Sequence, residues 1–194
     1  MRQKYIDAST SFFKINFFGF LIGTIMFFIV IIIYILLWGV NSLANSLNIE
    51  GYFEGFLFTL FLIIGIFVHE LLHGLGYIIG GIKKSDLVYG VNWKSMMPYI
   101  SCKVPVSIKT YKLAGVLPFI ILGVIPIIIA LFFEGLGLLF FWALLMIMIC
   151  SGDVFLFFKI RKFSASSFVV EHPKRVGCYI LEDVQAEYPI NCKN

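Results

Sequence analysis

The chain has 194 residues, 60% of them hydrophobic and only 13% charged, with a mean hydropathy of +0.98. An average soluble domain carries roughly 25% charged residues, so the composition excludes an ordinary soluble protein. The net charge of +4 is accounted for by basic residues flanking apolar segments and calls for no nucleic-acid partner.

Residues 1–11 are polar and include Arg2 and Lys4, as in a signal peptide. The apolar run that follows is too long for a signal core and lacks a small-residue cleavage site, so it is expected to stay as the first span. Four spans are predicted, at about 17–38, 53–79, 114–133 and 136–158, each near or above the ~17–25 residues that cross a bilayer. Only Glu134 and Gly135 separate the last two, which predicts a tight helical hairpin. Pro118 and Pro126 fall inside the third span, where a bilayer helix tolerates them if neighbours satisfy the carbonyls they leave free.

The second span contains His69-Glu70-Leu71-Leu72-His73. Two histidines four apart project from one helical face and can bind a single ion, and the glutamate beside them can act on a metal-bound water. Ionisable residues inside a span cost roughly 2.5–3.5 kcal/mol for a central charge and usually mark function. Hydrogen bonding between helices, without any metal, is the structural alternative. Gly65, Gly76 and Gly80 share the stripe of the two histidines and predict close approach of another helix.

Between the second and third spans lies the largest polar insertion, 81–112. Its stretches 88–91 and 99–104 read as short strands of a hairpin, which either offers an edge strand to an extended substrate or lies on the headgroups with Trp93 and Tyr99 as anchors. A catalytic zinc takes three protein ligands, so one more must come from elsewhere. Asp153 is the acidic residue well inside another span. His73 stands six residues before Ile79 and Asp153 five before Phe158, depths of ~9 Å and ~7.5 Å at helical rise. The competing reading of Asp153 is an ion pair with Lys159 or Arg161. Cys150, one turn earlier, is a soft ligand type or a small core residue. Tyr77 is a weak candidate for oxyanion stabilisation and otherwise an interfacial anchor. The four cysteines show no metal or disulfide spacing and read as reduced thiols. His172, in the tail, reads as structural rather than catalytic.

All 15 basic residues fall in the N-terminal segment, the 81–112 loop region and the C-terminal stretch, and none in 39–52 or 134–135. That distribution predicts both termini on the cytoplasmic side. The expected fold is therefore an all-α membrane protein of four transmembrane helices. A membrane domain at 1–162 carries a cytoplasmic loop that can form a β-hairpin, and 163–194 forms a small cytoplasmic tail whose polar stretch, 164–194, can fold into a cap of short strands.

The chain resembles a family of bacterial membrane zincin peptidases of unknown substrate, similar in plan to the intramembrane site-two proteases. The resemblance rests on Phe67-Val68-His69-Glu70-Leu71-Leu72-His73-Gly74, on Ser151-Gly152-Asp153, and on the stretch from Val170-Glu171-His172-Pro173 to Lys174-Arg175-Val176-Gly177. It implies Zn2+ held by His69, His73 and Asp153, with Glu70 as catalytic base. It also implies a membrane or membrane-proximal protein substrate and residence in the bacterial plasma membrane. Site-two proteases usually set their third ligand in Asn-Pro-Asp-Gly or Leu-Asp-Gly, whereas here Gly152 precedes Asp153. A non-catalytic zinc-binding scaffold and a small metal-ion transporter are the competing functions.

Overall fold

The computed structural model describes residues 5–46, 51–93, 97–165, 167–172 and 175–181. In chain order they form β1 (Tyr5–Asp7), α1 (Phe12–Ser46), α2 (Tyr52–Ile79), β2 (Leu87–Asn92), β3 (Met97–Cys102) and β4 (Val106–Ser107). The next helix runs unbroken from α3 (Ile108–Pro118) through a π-helical stretch, Phe119–Val124, into α4 (Ile125–Phe132). It is followed by α5 (Gly137–Ile160), β5 (Phe168–Glu171) and β6 (Cys178–Leu181).

Among the described residues, four helical stretches are long and apolar enough to cross a membrane, the number predicted. Their outer faces are apolar, with Leu36 79%, Phe53 71% and Phe132 75% exposed, a surface suited to a hydrocarbon solvent. Two boundaries differ from expectation for local reasons. Ser11 Oγ accepts the Lys14 N–H at 3.3 Å, an N-cap that draws Lys14 and Asn16 into α1. The same helix continues past Trp38 through a kink at Gly39, whose φ of 83° is open to glycine without steric cost. Ser107 likewise caps α3 through the Thr110 N–H at 3.2 Å, so the third span starts at Ile108.

The predicted hairpin is present, β2 pairing antiparallel with β3 from Leu87↔Cys102 to Asn92↔Met97. The expectation of an otherwise all-α chain needs correcting, because a second antiparallel sheet has the order β1-β6-β5-β4. It joins the two ends of the described chain, Tyr5 pairing with Leu181, and strands of two to four residues gave no usable alternation. Residues 182–194, with Cys192, lie outside the described residues.

Both sheets adjoin the helix ends that carry the basic residues. Tyr77, Ile108, Ala114 and Ile160 from the helices pack there with Cys102, Val169, Cys178 and Ile180 from the strands. Toward the opposite end Tyr34 and Phe140, with ring centroids 4.3 Å apart, anchor α1 to α5 beside Ile127 and Ala130 of α4.

The glycine stripe of α2 is a packing surface. A Cβ at Gly76 would lie 2.5 Å from Ala114 Cα, one at Gly80 would collide with Thr110, and one at Gly65 would meet Met146 and Trp142. Gly76→Val should therefore destabilise the fold by about 1–3 kcal/mol, lowering the unfolding midpoint by roughly 2–12 °C. Gly115→Ala is the comparison, since nothing lies within 4 Å of its added Cβ and alanine favours a helix by roughly 0.5–1 kcal/mol. Thermal unfolding of the two purified variants tests this. Equal midpoints would show that the α2–α3 approach does not constrain Gly76.

Candidate metal centre and cleft

His69 and His73 sit one turn apart on the inner face of α2, their rings edge to face with centroids 4.7 Å apart. His69 is buried, at 6% exposure, and the two Nε2 atoms are 3.1 Å apart. From α5, Asp153 Oδ2 approaches His69 Nε2 at 3.2 Å and His73 Nε2 at 3.5 Å. The two depths counted along the helices therefore meet in space. Lys159 and Arg161 face elsewhere: Lys159 Nζ donates to Ser9 O, and the Arg161 guanidinium lies 5.3 Å over the Phe158 ring.

The far side of each imidazole has its own partner. His73 Nδ1 is 2.9 Å from Ala114 O, and because a carbonyl only accepts, that nitrogen carries the proton. In the neutral ring Nε2 is then a bare lone pair facing His69 and Asp153. His69 Nδ1 meets Cys150 Sγ at 3.3 Å. Cys150 thus contacts the outer nitrogen of a histidine and stands outside the triangle of Nε2, Nε2 and Oδ2.

Those three atoms suit a cation. Tetrahedral ligands at ~2.0–2.1 Å from zinc stand ~3.3 Å from one another, and the triangle's edges are 3.1, 3.2 and 3.5 Å. The His73 lone pair, the second imidazole nitrogen and a carboxylate converge in an arrangement that calls for a proton or a metal ion between them. Glu70 completes the group, one carboxylate oxygen lying within 4.8 Å of ligand atoms of both histidines.

The cluster opens into a cleft of ≈ 660 Å³ walled by α2, β3, α3, α5 and the turn between β5 and β6. Trp93 and Tyr99 of the hairpin region line it, as do Glu70 and Asp153. Ile100 presents its backbone N–H toward the Glu70 carboxylate. Two residues further along, the Cys102 N–H donates to Glu171 Oε1 at 3.3 Å. Both groups lie on the β3 edge turned away from β2, as the two-residue strand repeat requires.

Tyr77 is 5% exposed and its hydroxyl donates to Glu171 Oε1 at 3.1 Å. It is a core residue tied to the tail and not an interfacial anchor. His172 lines the cleft, but its Nδ1 accepts the Arg175 N–H at 2.9 Å and its ring packs on Tyr179 at 4.7 Å, a structural setting. Pro173 and Lys174 of that motif lie outside the described residues. Cys102, Cys150 and Cys178 are free thiols. Burial pushes Cys102 upward and Cys178 up to about 12, so both stay protonated.

Sequence reasoning missed Glu171, which links Tyr77 to the hairpin edge, and the Ala114 carbonyl behind His73. Glu171 stands in the 170–177 stretch that carries the family resemblance, but nothing local marks its role. Pro118 was a signal for Ala114, because a proline deprives the carbonyl four residues earlier of its helical donor.

Residues 62–168 match the protein family described as "Putative zincin peptidase". No curated protein and no solved structure matches the chain. The matched region is more than half of the 194 residues, runs from within α2 to the first residue of β5, and contains His69, Glu70, His73 and Asp153. The chain belongs to the Putative zincin peptidase family.

Proposed function

We propose that this protein is an integral membrane zinc metallopeptidase that cleaves membrane or membrane-proximal protein substrates. The observation that carries the reading is the convergence of His69 Nε2, His73 Nε2 and Asp153 Oδ2 at zinc-ligand spacing, with Glu70 beside them in an open cleft. His69, His73 and Asp153 would hold the ion. A zinc so held acts as a Lewis acid toward a peptide carbonyl and its attacking water.

The remaining chemistry belongs to the chain. Glu70 accepts the proton of the attacking water and returns it to the leaving amine nitrogen. Ala114 O and Cys150 hold the two imidazoles in place from behind. β3 walls the cleft beside Glu70, where an extended substrate would lie. Pro98 on that strand withholds a donor and discourages pairing with a second copy. Four apolar helices with basic residues gathered at one end support residence in a membrane, with the cleft and both termini on the cytoplasmic side.

The test is hydrolysis of an unfolded fluorogenic polypeptide by the detergent-purified protein. Activity should vanish with a zinc chelator and return with one equivalent of zinc. Cleavage indifferent to the chelator would reject the metallopeptidase, and zinc flux into proteoliposomes without cleavage would favour transport instead.

A further inference from the structure

We propose that Pro118 is a positioning residue for the metal centre, acting by withholding an N–H so that the Ala114 carbonyl serves His73. The inference rests on zinc being held by His69, His73 and Asp153.

In a continuous α-helix the carbonyl of residue 114 would accept the N–H of residue 118. Proline has no such donor, and its ring crowds the carbonyl four residues back and tilts it outward. The following N–H, that of Phe119, bonds to Val116 O. The helix then runs into the π-helical stretch Phe119–Val124, a form common near functional sites. Ala114 O is thereby left to α2, where His73 Nδ1 takes it at 2.9 Å.

Two packing features make the bond geometrically available. Gly76 allows the α2 backbone to approach Ala114 closely, and Pro118 is itself fully buried, so the ring is fixed in place. The consequence lies on the other side of the imidazole. With Nδ1–H committed to the carbonyl, Nε2 is left unprotonated toward His69 and Asp153. The alternative tautomer would place a proton where the ion belongs. An outer partner of this kind typically sets metal affinity by about 10–100-fold.

Pro118→Ala restores the missing donor without adding bulk, so it should pull Ala114 O back into its own helix. Zinc affinity, measured by competition against a chelator of known strength, should fall about 10–100-fold. Pro126→Ala, which makes the same chemical change two turns away, should bind zinc as the unaltered protein does. Ring-15N spectra of the zinc-loaded, unaltered protein should show His73 protonated at Nδ1 and bound to the metal through Nε2. Zinc bound through Nδ1, with the proton on Nε2, would overturn the proposal without any variant. So would equal zinc affinity in the Pro118→Ala and unaltered proteins, or an equal loss in Pro126→Ala. If the unaltered protein binds no zinc, the underlying metal assignment fails instead.

Discussion

Glu70→Gln should leave zinc content unchanged and lower kcat/KM for peptide hydrolysis by about 10²–10⁴-fold, the usual contribution of a positioned general base. The substitution keeps the side chain's length and shape and removes its capacity to take and return a proton. It spares the three atoms of the donor triangle, two of which come from α2 on either side of Glu70 and one from α5. Zinc stoichiometry measured on the same preparation as the rate separates the possible outcomes. Normal zinc with normal hydrolysis would remove Glu70 from the chemistry. A loss of zinc would make Glu70 a ligand, an assignment its position within 4.8 Å of the histidine nitrogens makes worth excluding. A zinc-binding scaffold predicts no measurable hydrolysis even before the change.

How much of this site the sequence disclosed follows from the range of each interaction. His69 and His73 are legible because a helix turns i and i+4 to one face wherever it lies. Asp153 is legible because a carboxylate inside an apolar span is costly and so stands out, and because rise per residue converts position into depth. Gly65, Gly76 and Gly80 announce a close approach, although not which helix makes it. The partners are Ala114 and Thr110 of α3 for Gly76 and Gly80, and Met146 and Trp142 of α5 for Gly65.

Short strands in the tail were expected, but the sheet they join was not legible. It pairs Tyr5 with Leu181 and Val106 with Val169, contacts between short strands far apart in the chain, whose patterning is weaker than the packing that selects them. Glu171 went unseen for the same reason. Its carboxylate draws together Tyr77 of α2 and the Cys102 N–H of β3, and only the assembled sheet brings it there. Pro118 is intermediate: the sequence shows that a carbonyl must be orphaned, and the fold shows that His73 collects it.

Asp153→Asn should abolish zinc-dependent stabilisation. At a free zinc concentration 100 times the dissociation constant, a ligand binding only the folded state contributes ≈ 2.7 kcal/mol. For a chain of this length that corresponds to a rise of roughly 5–10 °C in the unfolding midpoint. Asparagine preserves the volume at the α2–α5 contact and an oxygen to face the imidazoles, but it removes the negative charge that offsets the ion's. The amide's N–H₂ end would also confront lone pairs with donors, which suits an empty site better than an occupied one. Affinity should therefore drop by more than the ~100-fold upper range for losing an outer partner, and the zinc-induced shift should disappear at concentrations that saturate the unaltered protein. The zinc-induced shifts of the two proteins carry the second half of the argument. If Asp153 serves only as an ion-pair partner for a protonated histidine, Asp153→Asn lowers the metal-free midpoint and zinc raises both proteins equally. A ligand role predicts instead that zinc stabilises only the protein that retains Asp153, whose Oδ2 stands 3.2 and 3.5 Å from the two imidazole nitrogens.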